Sequence, residues 1–189
     1  MKTALIKIFS LVFIFNYFTA ISFATPAQVV IIRHAEKPEL GRDLSTIGWE
    51  RAQNLPIFFK NNSIVAFYGD PVGIYGFAPQ SNDGSLRGIQ TVSFLAEQLK
   101  LKVNSNYTKN EYAKMVKKIM ANKEYEGKTV VICWQHSFLV RLALEFGAKG
   151  MIPDEWNDNV YNRAWILRFY KNSVKEFFDV PQLLLRDDT

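Results

Sequence analysis

The sequence predicts an α/β domain built on a largely parallel sheet, and three observations carry that prediction. Two short apolar runs, Gln28-Val-Val-Ile-Ile-Arg33 and Thr129-Val-Val-Ile-Cys-Trp134, have the length and continuity of strands buried on both faces. Helical patterns separate them. The chain then ends in what reads as a strand pair, Ala164 to Phe169 and Val174 to Phe178, joined by Tyr170-Lys-Asn-Ser173. Strands alternating with helices imply crossover connections, and therefore parallel pairing.

Taken in order, the run from Gln28 is the first strand. A helix is expected to begin near Ser45 or Thr46, with Pro56 kinking or ending it, because proline lacks the N–H that an interior helical position needs. Ser63 to Tyr68 and Gly73 to Phe77 are weaker strand candidates. Val92, Leu95, Ala96 and Leu99 recur at the spacing of one helical face. Tyr112, Met115, Val116 and Ile119 do the same, with Met120 extending the face, as do Leu139, Leu142, Ala143 and Phe146. There is no internal repeat and no linker-like stretch after residue 28, so 25–189 reads as one domain.

Residues 1–24 read as a secretory signal peptide. Lys2 and Lys7 make a positive start, and Ile8 to Phe15 is apolar apart from Ser10. Ser22 and Ala24 place small residues at the −3 and −1 positions of a peptidase site. The competing reading is a retained anchor, but the apolar stretch is short of the ~20 residues a spanning helix needs. The expected location is periplasmic or secreted, with no integral membrane span after cleavage. The full chain carries a formal net charge of +5; without its first 24 residues, which hold two lysines and no acid, the net is +3. So small a surplus excludes the strongly basic footprint of a nucleic-acid binder and suits a small anionic substrate. Cys133 is the single cysteine, which excludes an internal disulfide, and its apolar setting reads as a buried small hydrophobe. Lysines 100, 102, 109, 114, 117, 118, 123 and 128 form the one conspicuous charge cluster and read as a solvated surface.

The chain has two histidines, and each lies just past the carboxyl end of an apolar strand: His34 after the first, His136 after the run ending at Trp134. Ligands and catalytic groups of open α/β sheets gather at that edge. Neither histidine belongs to a metal-ligand spacing, so no metal and no other cofactor is expected. Arginine accompanies them instead. Arg33 precedes His34, and Arg87 opens the helical segment Arg-Gly-Ile-Gln-Thr91. Guanidinium forks beside imidazoles make a cationic pocket that fits a phosphate, and helix amino termini would add N–H donors.

Four segments now carry a family resemblance. Arg33-His34-Ala35-Glu36 resembles the Arg-His-Gly or Arg-His-Ala motif of the histidine phosphatase superfamily. Leu44-Ser45-x-x-Gly48 followed by Arg51-Ala52 is similar to its Leu-Thr-x-x-Gly segment. Leu86-Arg87-x-x-Gln90-Thr91 is similar to its second arginine motif, and the strand before His136 to its late histidine motif. The order is the family's, and the likeness runs from about Val29 to Trp165. It implies a phosphoglycerate mutase-like fold, a three-layer α/β/α sandwich with a mostly parallel central sheet. It also implies a phosphohistidine mechanism: His34 as nucleophile, Arg33 and Arg87 as phosphate-binding residues, and His136 sharing the phosphoryl charge.

Two departures from the family pattern bear on the chemistry. Ser137 stands where the family often has glycine after the second histidine, and its hydroxyl is expected to cap the helix that follows. No aspartate follows His136, so the proton donor must lie elsewhere. By resemblance Glu111 is the first candidate, although Thr108-Lys-Asn-Glu111 also reads as a capping box in which Glu111 only closes a helix start. Asp83, in the polar loop before Arg87, is the alternative acid. Glu36 can pair with a nearby cation, and Lys37 can meet the phosphate or the rest of the substrate. The expected activity is hydrolysis of a small phosphomonoester, with an envelope sugar phosphate as one such substrate. A phosphate-binding protein with little turnover and a phosphomutase are the competing functions.

Overall fold

The computed structural model describes residues 25–81 and 84–188. Residues 1–24, expected as a signal peptide, and Asp83, an alternative acid, lie outside the described residues. Six strands form one sheet in the order β3-β2-β4-β1-β5-β6. β1 (Gln28–Arg33), β2 (Pro71–Gly76), β3 (Val103–Asn104) and β4 (Thr129–Trp134) run parallel to one another. β5 (Arg163–Tyr170) and β6 (Ser173–Pro181) add an antiparallel hairpin beside β1. The hairpin closes tightly because Lys171 and Asn172 both take positive φ, 48° and 65°, the backbone of a two-residue turn that matches strand twist.

β1 and β4 sit at the centre, which is why every position in both is buried. Their side chains divide by the two-residue period of a strand. Val29, Ile31, Val130, Ile132 and Trp134 enter one apolar layer, under α4 (Tyr112–Met120) and α5 (His136–Glu145). Val30, Ile32, Val131 and Cys133 enter the other, under α1 (Thr46–Asn61) and α3 (Ser93–Gln98). The result is the three-layer sandwich. Fully burying an aliphatic side chain contributes about 1.5–3 kcal/mol, and both layers are built of such groups.

Several local expectations are corrected. α1 runs through Pro56 to Asn61 without ending there. Proline removes one helical hydrogen bond, but Leu55, Phe58 and Phe59 on the same helix are buried against the sheet, and that packing holds the last turns in place. Ser63 to Tyr68 holds no strand. Asn62 Oδ1 accepts from the N–H groups of Ile64 and Val65 at 3.1 and 3.2 Å, winding Val65–Tyr68 into a 3-10 turn. The face begun at Val92 does form, on α3: Val92, at ψ 5°, separates α3 from the short α2 (Arg87–Thr91), Leu95 and Ala96 are buried within α3, and Leu99 caps its end. β3, two residues long, has no periodicity to betray it.

Candidate active site

β1 and β4 pair in register from Gln28↔Thr129 to Arg33↔Trp134, so the residues that follow them emerge side by side. The His34 N–H donates to the Trp134 carbonyl at 3.0 Å, and His136 opens α5. α2, entered from the end of β2, brings Arg87 to the same edge. Arg33, His34, Arg87 and His136 line one cavity of about 250 Å³, together with Lys37, Lys109 and Gln135. Among the described residues no carboxylate lines it.

The two glycines of the motifs earn their places by close approach. A Cβ on Gly48 would lie 2.3 Å from the Glu36 carbonyl oxygen, so only glycine lets the first turn of α1 abut the loop after His34. Ser45 secures that contact twice: its Oγ accepts from the Gly48 N–H at 3.1 Å, and its own N–H donates to Glu36 O at 2.9 Å. A Cβ on Gly88 would strike the Phe77 ring at 2.5 Å, so glycine seats α2 on the end of β2. Thr91 Oγ1 donates to Arg87 O at 2.7 Å and accepts from the Ala35 N–H at 2.8 Å, tying α2 to the His34 loop.

His34 is 4% exposed, and its Nδ1 lies 2.8 Å from the Ala35 carbonyl. A carbonyl only accepts, so Nδ1 carries the proton and the neutral ring keeps a lone pair on Nε2. Burial, reinforced by Arg33, Arg87 and His136, pushes the imidazole down to about 4. At neutral pH the His34 ring is therefore unprotonated and held in one tautomer, a state in which Nε2 is chemically able to act as a nucleophile.

Arg33, 2% exposed, is fixed from the loop before β5. Its Nη1 donates to the carbonyls of Asp158 and Val160, the latter at 3.2 Å, and the Tyr161 ring covers the guanidinium at 3.7 Å. Its Nε is buried without a hydrogen-bond partner. Arg87 donates through Nε to Asp43 O at 3.0 Å and through Nη2 to Gly41 O. Burial pulls both guanidinium groups down from their ordinary value, which still leaves them charged. His136 Nε2 meets Asp158 Oδ1 at 2.9 Å.

Glu111 and Glu36, two of the carboxylates expected near the chemistry, are engaged elsewhere. Glu111 Oε2 accepts from the N–H and the Oγ1–H of Thr108, both at 3.0 Å, and Oε1 lies 3.5 Å from Lys114 Nζ. These bonds, led by the Thr108 N–H, hold its carboxyl below the usual range. Glu111 thus closes a capping box and is not among the residues lining the cavity, so its place does not support the acid role. Glu36 pairs with Arg51 at 2.6 Å, and Arg51 also binds Asp188 at 2.8 Å, a buried network that clamps the His34 loop to α1 and the chain's end. Lys37 does line the cavity. Ser137 does not cap α5: the helix begins one residue earlier, at His136, with Gln135 as its cap, and Ser137 Oγ accepts from Gln135 Nε2 at 3.2 Å. Asp158 and Tyr161 escaped the sequence reading. They sit in a loop with no motif, and only the return of β5 along β1 brings them to the site.

No protein-family model and no curated protein matches the sequence. Solved structures do. A protein histidine phosphatase, SixA, complexed with tungstate superposes with a TM-score of 0.54 at 13% identity, over 82% of this chain and 97% of that one. A mycobacterial glucosyl-3-phosphoglycerate phosphatase, Rv2419c, bound to inorganic phosphate gives 0.51 at 11% identity, over 82% and 95%. The chain has the histidine phosphatase fold. Within that fold, the strand ends at His34 and His136 and the helix start at Arg87 form one cationic cavity, the arrangement that the four motifs imply. Among the described residues no three His, Cys, Asp or Glu side chains converge as a metal site.

Proposed function

We propose that this chain is an exported phosphatase that hydrolyses a phosphomonoester through a phosphohistidine on His34. The observation that carries the reading is the state of His34: buried, neutral, with Nδ1–H given to Ala35 O, in one cavity with two arginines and a second histidine. The Nε2 lone pair attacks phosphorus, the P–N bond forms, and the bond to the leaving oxygen breaks. Arg33, Arg87 and protonated His136 hold the phosphoryl oxygens as charge redistributes. Water then attacks phosphorus, and the P–N electron pair returns to His34.

Lys37 and Lys109 at the cavity wall favour an anionic substrate. Export rests on Lys2, Lys7, the apolar stretch and the small residues at Ser22 and Ala24. An extracytoplasmic location makes an envelope sugar phosphate a substrate to test. Among the described residues no helix is long and apolar enough to cross a membrane.

A phosphomonoester panel assayed with the wild-type protein and His34→Ala tests the proposal. Turnover that His34→Ala abolishes supports it. Phosphate binding without turnover on any ester would instead favour the binding-protein reading.

A further inference from the structure

Asp158 is the one described acid that gives its carboxylate to a residue of the cationic cavity, and neither the motifs nor the proposed reaction uses it. Its Oδ1 lies 2.9 Å from His136 Nε2. The other ring nitrogen, Nδ1, is buried without a hydrogen-bond partner, so Nε2 is the nitrogen through which His136 can serve an incoming oxygen. The loop that carries Asp158 is anchored: Trp156, 7% exposed, packs on Trp165 with ring centroids 4.8 Å apart, and its Nε1–H donates to Val160 O at 2.9 Å. Yet the Asp158 side chain itself is 76% exposed. A fixed backbone carries a carboxylate that is free to swing into solvent.

On the phosphatase reading, we propose that Asp158 is a positioning residue, the resident counter-anion of His136. Before substrate arrives, its carboxylate holds the Nε2–H, orienting the imidazole and opposing the loss of its proton. When a phosphoryl group enters, one of its oxygens takes over that N–H and the carboxylate withdraws to water.

The charges around His136 make such a partner necessary. Arg33 from β1 and Lys37 from the loop after it face the ring, and His34 stands nearby. Burial first, then Arg33 and Lys37, drive the proton off His136; of the facing groups, Asp158 alone holds it on. The balance lies below the ordinary imidazole value even with Asp158 in place, and without it would lie lower still. Exchange of one anion for another confines the effect to the free enzyme. kcat/KM reports groups of the free enzyme, whereas kcat reports those of the complex, where the phosphoryl group itself supports the imidazolium.

The test is Asp158→Asn, read in two ways. With only two histidines in the chain, NMR titration of the imidazole carbons resolves both, and His136→Gln assigns them. In Asp158→Asn the His136 midpoint should fall by about one pH unit, and the alkaline limb of kcat/KM should move the same way, costing about tenfold on that limb. The kcat profile should keep its position, and Asp158→Glu should restore both readouts. A His136 midpoint that does not fall overturns the proposal. So does a uniform rise in kcat/KM at all pH values, which would make Asp158 a mere competitor of phosphate. The NMR arm needs no turnover: if His136 shifts as expected but no ester is hydrolysed, the pairing stands and the phosphatase reading fails.

Discussion

Replacing His34 by Gln should remove a specific share of the protein's pH dependence of stability. The imidazole, 4% exposed, is pushed by burial and neighbouring cations from 6.5 to about 4. In the unfolded chain it takes up a proton near its ordinary value, so between those two values the unfolded state binds more protons than the folded one. Stability from the neutral buried ring is therefore complete above about pH 6.5 and drains away as pH falls toward about 4. Each unit of displacement is worth 1.36 kcal/mol, so going from about pH 7 to about pH 4.5 should cost about 2 kcal/mol through His34 alone. Carboxylates and His136 add their own dependence, which the variant shares. The assay is urea unfolding of wild type and His34→Gln at both pH values, and the quantity read is the difference between their two losses. Wild type should lose about 2 kcal/mol more than the variant. Equal losses would mean that His34 titrates normally, and the argument for a neutral nucleophile in a cationic pocket would fall with it.

Further outcomes follow from the same geometry. Arg87→Ala should lower kcat/KM at least 10²–10³-fold, the scale of a lost donor to developing charge, while its circular dichroism spectrum stays that of wild type. Gly48→Ala must push the Glu36 carbonyl away from a Cβ 2.3 Å distant; it should cost about 1–3 kcal/mol in urea unfolding and lower turnover by displacing the His34 loop. Glu111→Gln should change hydrolysis of an alkyl phosphate and of p-nitrophenyl phosphate equally little. A selective loss of about 10² on the alkyl ester would restore Glu111 as the acid.

What could be read from the sequence was whatever depended on neighbours in the chain or on burial from both sides. β1 and β4 were legible because central parallel strands must be apolar throughout. The helical faces on α4 and α5 showed through their period, and Arg33, His34, Arg87 and His136 through motifs attached to those elements. The Glu111 capping box was legible for the same reason, since both partners lie within one turn. Elements decided by distant contacts were not. Pro56 stays helical because of what α1 packs on, and Val65–Tyr68 winds up because Asn62 turns its side chain back on the backbone. Asp158 and Tyr161 reach Arg33 across more than a hundred residues, through a strand return that leaves no local pattern.

The central claim is that His34 carries the phosphoryl group. Its most direct measurement is to quench the enzyme during turnover of a ³²P-labelled aryl phosphate and locate the label. The account predicts acid-labile, alkali-stable label on the peptide containing His34, chasing to inorganic phosphate, and absent from His34→Ala. Turnover that persists in His34→Ala, with no label trapped in either protein, would contradict it.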